Sequence, residues 1–191
     1  DSGAFPERTT AVPEVILTLP DCQQRLRVRW YKLTGEVTTT QIVDALAERR
    51  TPPLALVGGG STDRALDLAR SLAHRHEWKG SRPLLLLTTA TANDVLLDDE
   101  SPAAVGPRKS RHLMKVYDGR TYRFCFTNEQ MAQAVVDFLG DRPELRMAGT
   151  PEMPTSVFIL AWDDDPYSLD LSEHFRKRLH ASGQPIRVVK D

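Results

Sequence analysis

Three short segments hold the polar residues whose types and order could do chemistry. The first is Val57-Gly58-Gly59-Gly60-Ser61-Thr62. Its glycines let a backbone approach a ligand closely and adopt positive φ. Ser61 and Thr62 place hydroxyls and amides at the start of a predicted helix, where the unpaired N–H groups and the helix dipole favour an anion such as a carboxylate or phosphate. No Gly-Lys-Ser/Thr follows, so this is not a Walker A loop. Gly59-Gly60-Ser61-Thr62-Asp63 lacks the second glycine of a nucleophile elbow. A tight turn with an ordinary Ser/Thr cap satisfies the same residues.

The second segment is Thr88-Thr89-Ala90-Thr91-Ala92-Asn93-Asp94. Small side chains permit close approach and the hydroxyls can grip a polar ligand; a plain polar loop reads the same way. The third is Trp162-Asp163-Asp164-Asp165-Pro166-Tyr167. Oxygen ligands suit Mg²⁺ or Ca²⁺, and an enzyme using Asp163, Asp164 or Asp165 with Mg²⁺ is one reading. Successive side chains diverge, however, and Asp165 before a proline is a good helix N-cap. That arrangement leaves Tyr167 in the first helical turn, where its ring can cover a ligand. No metal site is expected, and no cofactor.

The histidines assemble into nothing. His74 and His76 point to different faces of a predicted helix, no HExxH occurs, and no nucleophile–base pair follows from spacing. No catalytic residue is assigned. Cys22 and Cys125 stand without any CxxC motif. Cys125, between two phenylalanines, reads as a buried thiol, and a Cys22–Cys125 disulfide stays open.

These segments need elements to hold them. Leu54–Val57, Leu84–Leu87 and Val157–Ala161 are apolar runs of strand length, the pattern of strands buried on both faces of a parallel sheet. Between them lie stripes at helical spacing: Ile42, Val43, Leu46 and Ala47; Ala65, Leu66, Ala69 and Leu72; Met131, Val135, Phe138 and Leu139. A final helix runs from Pro166 to about Ser182 with Gly183 at its C′ position, and Pro185–Val189 begins one more strand. Glu14–Leu19 and Arg25–Leu33 are strands too close together for a helix between them. The second alternates apolar residues with Arg25, Arg27 and Arg29. Residues 93–121 read as an irregular insertion and Arg142–Pro154 as a linker. The expected fold is α/β, a three-layer sandwich with a mainly parallel sheet. In such sheets ligands sit beyond the carboxyl ends of the strands, where the three polar segments fall.

Composition fits this picture. The 191 residues carry 25 Lys+Arg against 26 Asp+Glu, a balance that argues against a general nucleic-acid binder. The apolar runs are strand-sized, and roughly 20 consecutive apolar residues are needed for a membrane helix, so no membrane insertion is expected. The N-terminal residues lack the pattern of a secretory signal.

The order of motifs from Pro53 to about Gly183 resembles the first lobe of type I periplasmic binding proteins, receptors of the leucine/isoleucine/valine kind that feed ABC transporters. Leu56-Val57-Gly58-Gly59-Gly60-Ser61-Thr62 is similar to the family's strand, glycine turn and serine. Leu87-Thr88-Thr89-Ala90-Thr91-Ala92 matches its Ala-Thr turn. Phe124-Cys125-Phe126-Thr127-Asn128-Glu129-Gln130 matches its Phe-Arg-Thr strand, with Cys125 in the arginine's place. Val157-Phe158-Ile159-Leu160-Ala161-Trp162-Asp163-Asp164-Asp165-Pro166-Tyr167-Ser168 matches its apolar strand, acidic turn and tyrosine. The resemblance implies a flavodoxin-like lobe that binds a small polar ligand, an amino acid or similar carboxylate, without catalysis. By motif position the ligand falls to Ser61, Thr62, Thr89, Ala90, Thr91 and Tyr167. A membrane component of an ABC transporter is the implied partner, and a periplasmic or other extracytoplasmic place the implied location, with a cytoplasmic one left open. One lobe fills residues 1–191, with the second lobe apparently absent. A regulatory or interaction module that keeps the fold without a transport ligand is the alternative.

Overall fold

A computed structural model of the chain describes residues 14–18, 24–31, 36–97, 109–145, 150, 152–183 and 186–190. The elements are β1 (Glu14–Thr18), β2 (Arg25–Arg29), α1 (Thr39–Ala47), β3 (Ala55–Gly58), α2 (Thr62–His74), β4 (Leu84–Leu87), β5 (Asp94–Leu97), β6 (Lys109–His112), β7 (Thr121–Arg123), α3 (Asn128–Asp141), β8 (Thr155–Ile159), α4 (Pro166–Ala181) and β9 (Ile186–Lys190). The α/β class with a parallel sheet is as expected. β3, β4 and β7 form a parallel sheet in that order, and β8 and β9 pair in parallel across α4. Two hairpins are antiparallel, β1–β2 and β5–β6.

The core forms where the stripes of α1 and α2 predict it, whereas the stripe read for α3 is displaced: Ala132 and Val136 are its buried apolar residues, and Val135 and Phe138 are exposed. Val43 of α1 and Ala65, Leu66, Ala69 and Leu72 of α2 pack against Leu85 and Leu87 of β4. Period-2 alternation then fixes the sheet's two faces. Leu56 and Gly58 share the helix-covered face with Leu85 and Leu87, whereas Val57 lies in register with Leu86 and Tyr122 on the other.

Residues 93–121 hold more order than their composition indicates. Asp94–Leu97 pairs with Lys109–His112, a 3-10 turn follows at Leu113–Lys115, and residues 98–108 lie outside the described residues. Val95, Leu113 and Tyr117 are buried in the core. The Tyr117 hydroxyl donates to the Pro83 carbonyl at 2.8 Å, and Arg82 stacks over its ring. Burial pushes the Tyr117 phenol above its ordinary pKa. Scattered apolar residues at no fixed period built this unit, so periodicity could not reveal it. The third strand of the parallel sheet, Thr121–Arg123, follows this unit directly.

β2 shows the alternation read from its sequence. Arg27 and Arg29 share a face with Glu14 of β1, whose carboxylate receives Arg29 at 2.5 Å and Arg27 at 3.3 Å. Cys125 is a free, half-buried thiol, and Cys22 lies outside the described residues.

Candidate functional site

Parallel pairing of β3 with β4 aligns Gly58 with Leu87, so the first two polar segments leave the sheet side by side. Gly59 turns the first at φ +74°, and a Cβ there would sit 2.7 Å from the Ala65 Cβ. Only glycine fits. The Thr89 hydroxyl donates to the Gly59 carbonyl at 3.1 Å, which ties the two turns together.

The helix that follows Gly60 differs from the others. α1 begins with a capping box of Thr38 and Gln41, α3 with one of Thr127 and Gln130, and α4 with Asp165, which accepts from the Tyr167 and Ser168 amides. The N-cap of α2 is Ser61, whose side chain makes no bond to the helix amides. Instead its hydroxyl serves Asp63. That bond first, and the amides of Arg64 and Asp63 after it, hold the Asp63 carboxyl below its ordinary value. Thr62 is 2% exposed, and its buried hydroxyl has no hydrogen-bond partner.

The second turn is held from beneath. Ala90 is buried and its carbonyl accepts from the Cys125 thiol at 3.4 Å. The Thr91 carbonyl accepts from the Asn128 amide at 2.9 Å and from Arg123 at 3.4 Å, and the Ala92 carbonyl from Arg123 at 2.5 Å. In a trans peptide the N–H points opposite to the preceding C=O. With the Ala90 and Thr91 carbonyls drawn toward β7 and α3, the amides of Thr91 and Ala92 face the other way. The Thr91 hydroxyl is buried and unpartnered. Arg123 also binds the Asn93 side-chain oxygen at 2.8 Å. Burial pulls its guanidinium below the ordinary arginine value, opposed by Asp170 and Cys125 nearby.

The third segment joins through Asn128 and Asp170. Asn128, fully buried, donates to the Tyr167 carbonyl at 3.2 Å and to Asp170 at 3.0 Å. Asp170 also accepts the amides of Asn93 at 3.1 Å and Asp94 at 3.0 Å, with His174 3.5 Å away. Three of the predicted site segments are therefore one hydrogen-bonded assembly. Thr89 links the first to the second, and Asn128 links the second to the third. Tyr167 sits in the first turn of α4, 37% exposed.

Arg123, Asn128 and Asp170 went unread in the sequence. Asn128 and Asp170 stand 42 positions apart, and no local spacing couples them. The sole signal is Asp170 itself, a carboxylate between Leu169 and Leu171 on a helix.

A cleft of about 130 Å³ lies beside these turns, lined by Asp63, Asp67, Arg70, Asp163, Asp164 and Leu169, among others. None of the six predicted ligand residues lines it. Its carboxylates repel an anion, and among the described residues no three His, Cys, Asp or Glu gather to hold a metal.

No protein-family model matches the sequence, and no curated protein does. Solved structures do match. A substrate-binding protein of an ABC transporter from Desulfitobacterium hafniense superposes with a TM-score of 0.50 at 14% identity, over 80% of this chain and 34% of that one. A crystal structure from the same organism, described as an ABC transporter substrate-binding protein in complex with Leu, has the same TM-score and identity over 80% and 35%. The chain spans about a third of the length of these proteins. At that identity the likeness is one of fold. Among the described residues no helix is long and apolar enough to cross a membrane. The α/β fold thus resembles part of an ABC transporter substrate-binding protein.

Proposed function

We propose that this chain is a non-catalytic lobe that binds a small ligand through its carboxylate, an amino acid or a similar acid, at the turns after β3 and β4. The observation that carries the reading is the start of α2, the one α-helix among the described residues whose N-cap side chain makes no bond to the first-turn amides, leaving Asp63 to draw on them. It lies beside a turn whose carbonyls are fixed inward. An anion there meets amides and the positive end of a helix dipole. Ser61, Thr62, Thr89, Ala90 and Thr91 form the carboxylate end, and Tyr167 covers the ligand. The structure with Leu, although that ligand belongs to another protein, resembles this chain in fold over 80% of its length. Within this reading the chain acts outside the cytoplasm, as one lobe of a substrate-binding protein that delivers to the membrane component of an ABC transporter.

A second reading is a regulatory module that keeps the fold without a transport ligand. It is favoured by Asp63, whose own carboxylate already draws the Ser61 hydroxyl and nearby amides.

Calorimetric titration with leucine and other amino acids separates the two. The binding reading expects saturable heat from at least one of them. It expects Ser61→Asp, which supplies an internal anion at the N-cap, to weaken that binding by about tenfold or more while stabilising α2. Asp63→Asn should strengthen it. Silence with every amino acid and small carboxylate, in the wild type and in Asp63→Asn alike, leaves the regulatory module.

A further inference from the structure

Arg123 is half-buried beneath the turn after β4. The oxygens its guanidinium binds are all neutral: the Thr91 carbonyl at 3.4 Å, the Ala92 carbonyl at 2.5 Å and the Asn93 side chain at 2.8 Å. These bonds grip two successive peptides of the turn. In the Ala92–Asn93 peptide Arg123 holds the carbonyl end, and the Asn93 amide at the other end donates to the Asp170 carboxylate at 3.1 Å. A cation and an anion thus sit at opposite ends of one peptide, each at the end its dipole favours. The Thr91–Ala92 peptide is half of the same device. Its carbonyl accepts from Arg123 and, at 2.9 Å, from the Asn128 amide, but among the described residues the Ala92 amide has no acceptor. Ala92 is shut from water, so the peptide dipole acts in a surrounding of low dielectric, and a hydrogen-bonded carbonyl polarises its own peptide N–H.

We propose that Arg123 is a positioning residue for anion recognition: acting through the Thr91–Ala92 peptide, its charge makes the turn after β4 prefer an ionised carboxylate to the matching neutral amide. This rests on the reading of the turns after β3 and β4 as a carboxylate site, and it names what sets the preference of that site. The anion missing from the Thr91–Ala92 peptide is the group the ligand brings. Asp170 does not fill that place, because its two oxygens already accept from the Asn93 and Asp94 amides and from the Asn128 side chain. One cation thereby serves two anions on two neighbouring peptides, the first built into the chain and the second delivered with the ligand.

The test is calorimetry of the 191-residue chain with leucine and the other standard amino acids, each beside its primary amide. In the wild type at least one amino acid should bind about tenfold or more tighter than its amide. Arg123→Gln removes the charge but keeps a donor to the turn, and should weaken the acid by about tenfold while leaving the amide within about threefold. Arg123→Lys keeps the charge and loses the planar fork, and should hold the ratio of acid to amide within about threefold of the wild type. A merely structural clamp would weaken acid and amide alike in both variants. If Arg123→Gln does not fold, Arg123→Lys decides alone, because a collapsed ratio there overturns the proposal. Wild-type preference for the acid that survives Arg123→Gln, or a loss shared equally by acid and amide, overturns this inference and leaves the carboxylate reading standing. Silence of the wild type and Asp63→Asn with every amino acid, or equal wild-type affinity for acid and amide, overturns both.

Discussion

The starts of α2 and α3 are built from the same parts and finished differently. Each helix leaves the carboxyl end of a strand in the same parallel sheet. At α3 the donors are answered: Thr127 and Gln130 satisfy one another's backbone, and wholly buried Asn128 gives its backbone amide to Thr91 and its side-chain amide to Asp170 and Tyr167, with its side-chain oxygen alone unpartnered. At α2 a glycine turn replaces side chains, Ser61 turns away from the helix, and the Thr62 hydroxyl is left over. Buried polar groups are almost always paired in native proteins. The contrast therefore teaches where the molecule has spent its polar residues on itself and where it has kept them for something else. α3 is a joint, and α2 is an opening.

Substitutions can break or sharpen that contrast. The largest effect is expected from the closed joint. Asp170→Ala takes their acceptor from the buried Asn128 side chain, at about 1–3 kcal/mol, and from the part-buried bonds of the Asn93 and Asp94 amides, at about 1 kcal/mol each. Urea unfolding should show a loss of about 3–5 kcal/mol; a loss below about 1 kcal/mol would mean that the joint carries no weight. Gly59→Ala comes next. It combines positive φ with a close approach to Ala65 and should cost about 2–3 kcal/mol, because the open turn is shaped by backbone alone. The sharpest comparison is between the two N-caps. Thr127→Ala should cost about 1 kcal/mol, whereas Ser61→Ala, which removes no helix cap, should cost less than about 0.5 kcal/mol. Equal losses would dissolve the distinction between joint and opening.

The smallest effect is one of pH. The Asp63 carboxyl is held below its ordinary value in the fold, so its contribution to stability is present above the unfolded value of about 3.9. It is lost as pH falls through the lower folded value. The difference in melting temperature between wild type and Asp63→Asn should accordingly shrink on acidification below about pH 4.

Much of the frame was legible in the sequence because it follows local rules. The stripes of α1 and α2 repeat at helical spacing, the leucines of β4 read as a buried strand, and Asp165-Pro166 announces the start of α4. What stayed hidden is non-local. Asp170 gains its meaning from amides 76 and 77 positions away, and Tyr117 from the Pro83 carbonyl and Arg82 ring contact. The β5–β6 hairpin was obscured by the charged and proline-rich residues around it. The three strand-end turns were found because parallel strands end on one side of a sheet, a rule of topology. Which of their groups are already bonded inside the chain is set by contacts between residues far apart in sequence, such as Thr89 with Gly59 and Arg123 with Ala92.

The pairing of β7 with β4 has a further consequence, for the route by which the chain folds. β3, α2 and β4 are neighbours in sequence and can assemble early. β7 must close a loop containing the β5–β6 hairpin before it meets β4, and such closure carries an entropic cost before its contacts form. Arg123 rides on β7, so the turn at Thr89–Ala92 receives its clamp late. Contacts made after the folding barrier govern how fast a protein opens more than how fast it forms. Weakening Arg123 should therefore leave the refolding rate nearly unchanged and hasten unfolding, so the shape of this turn sets how long the folded chain lasts between openings.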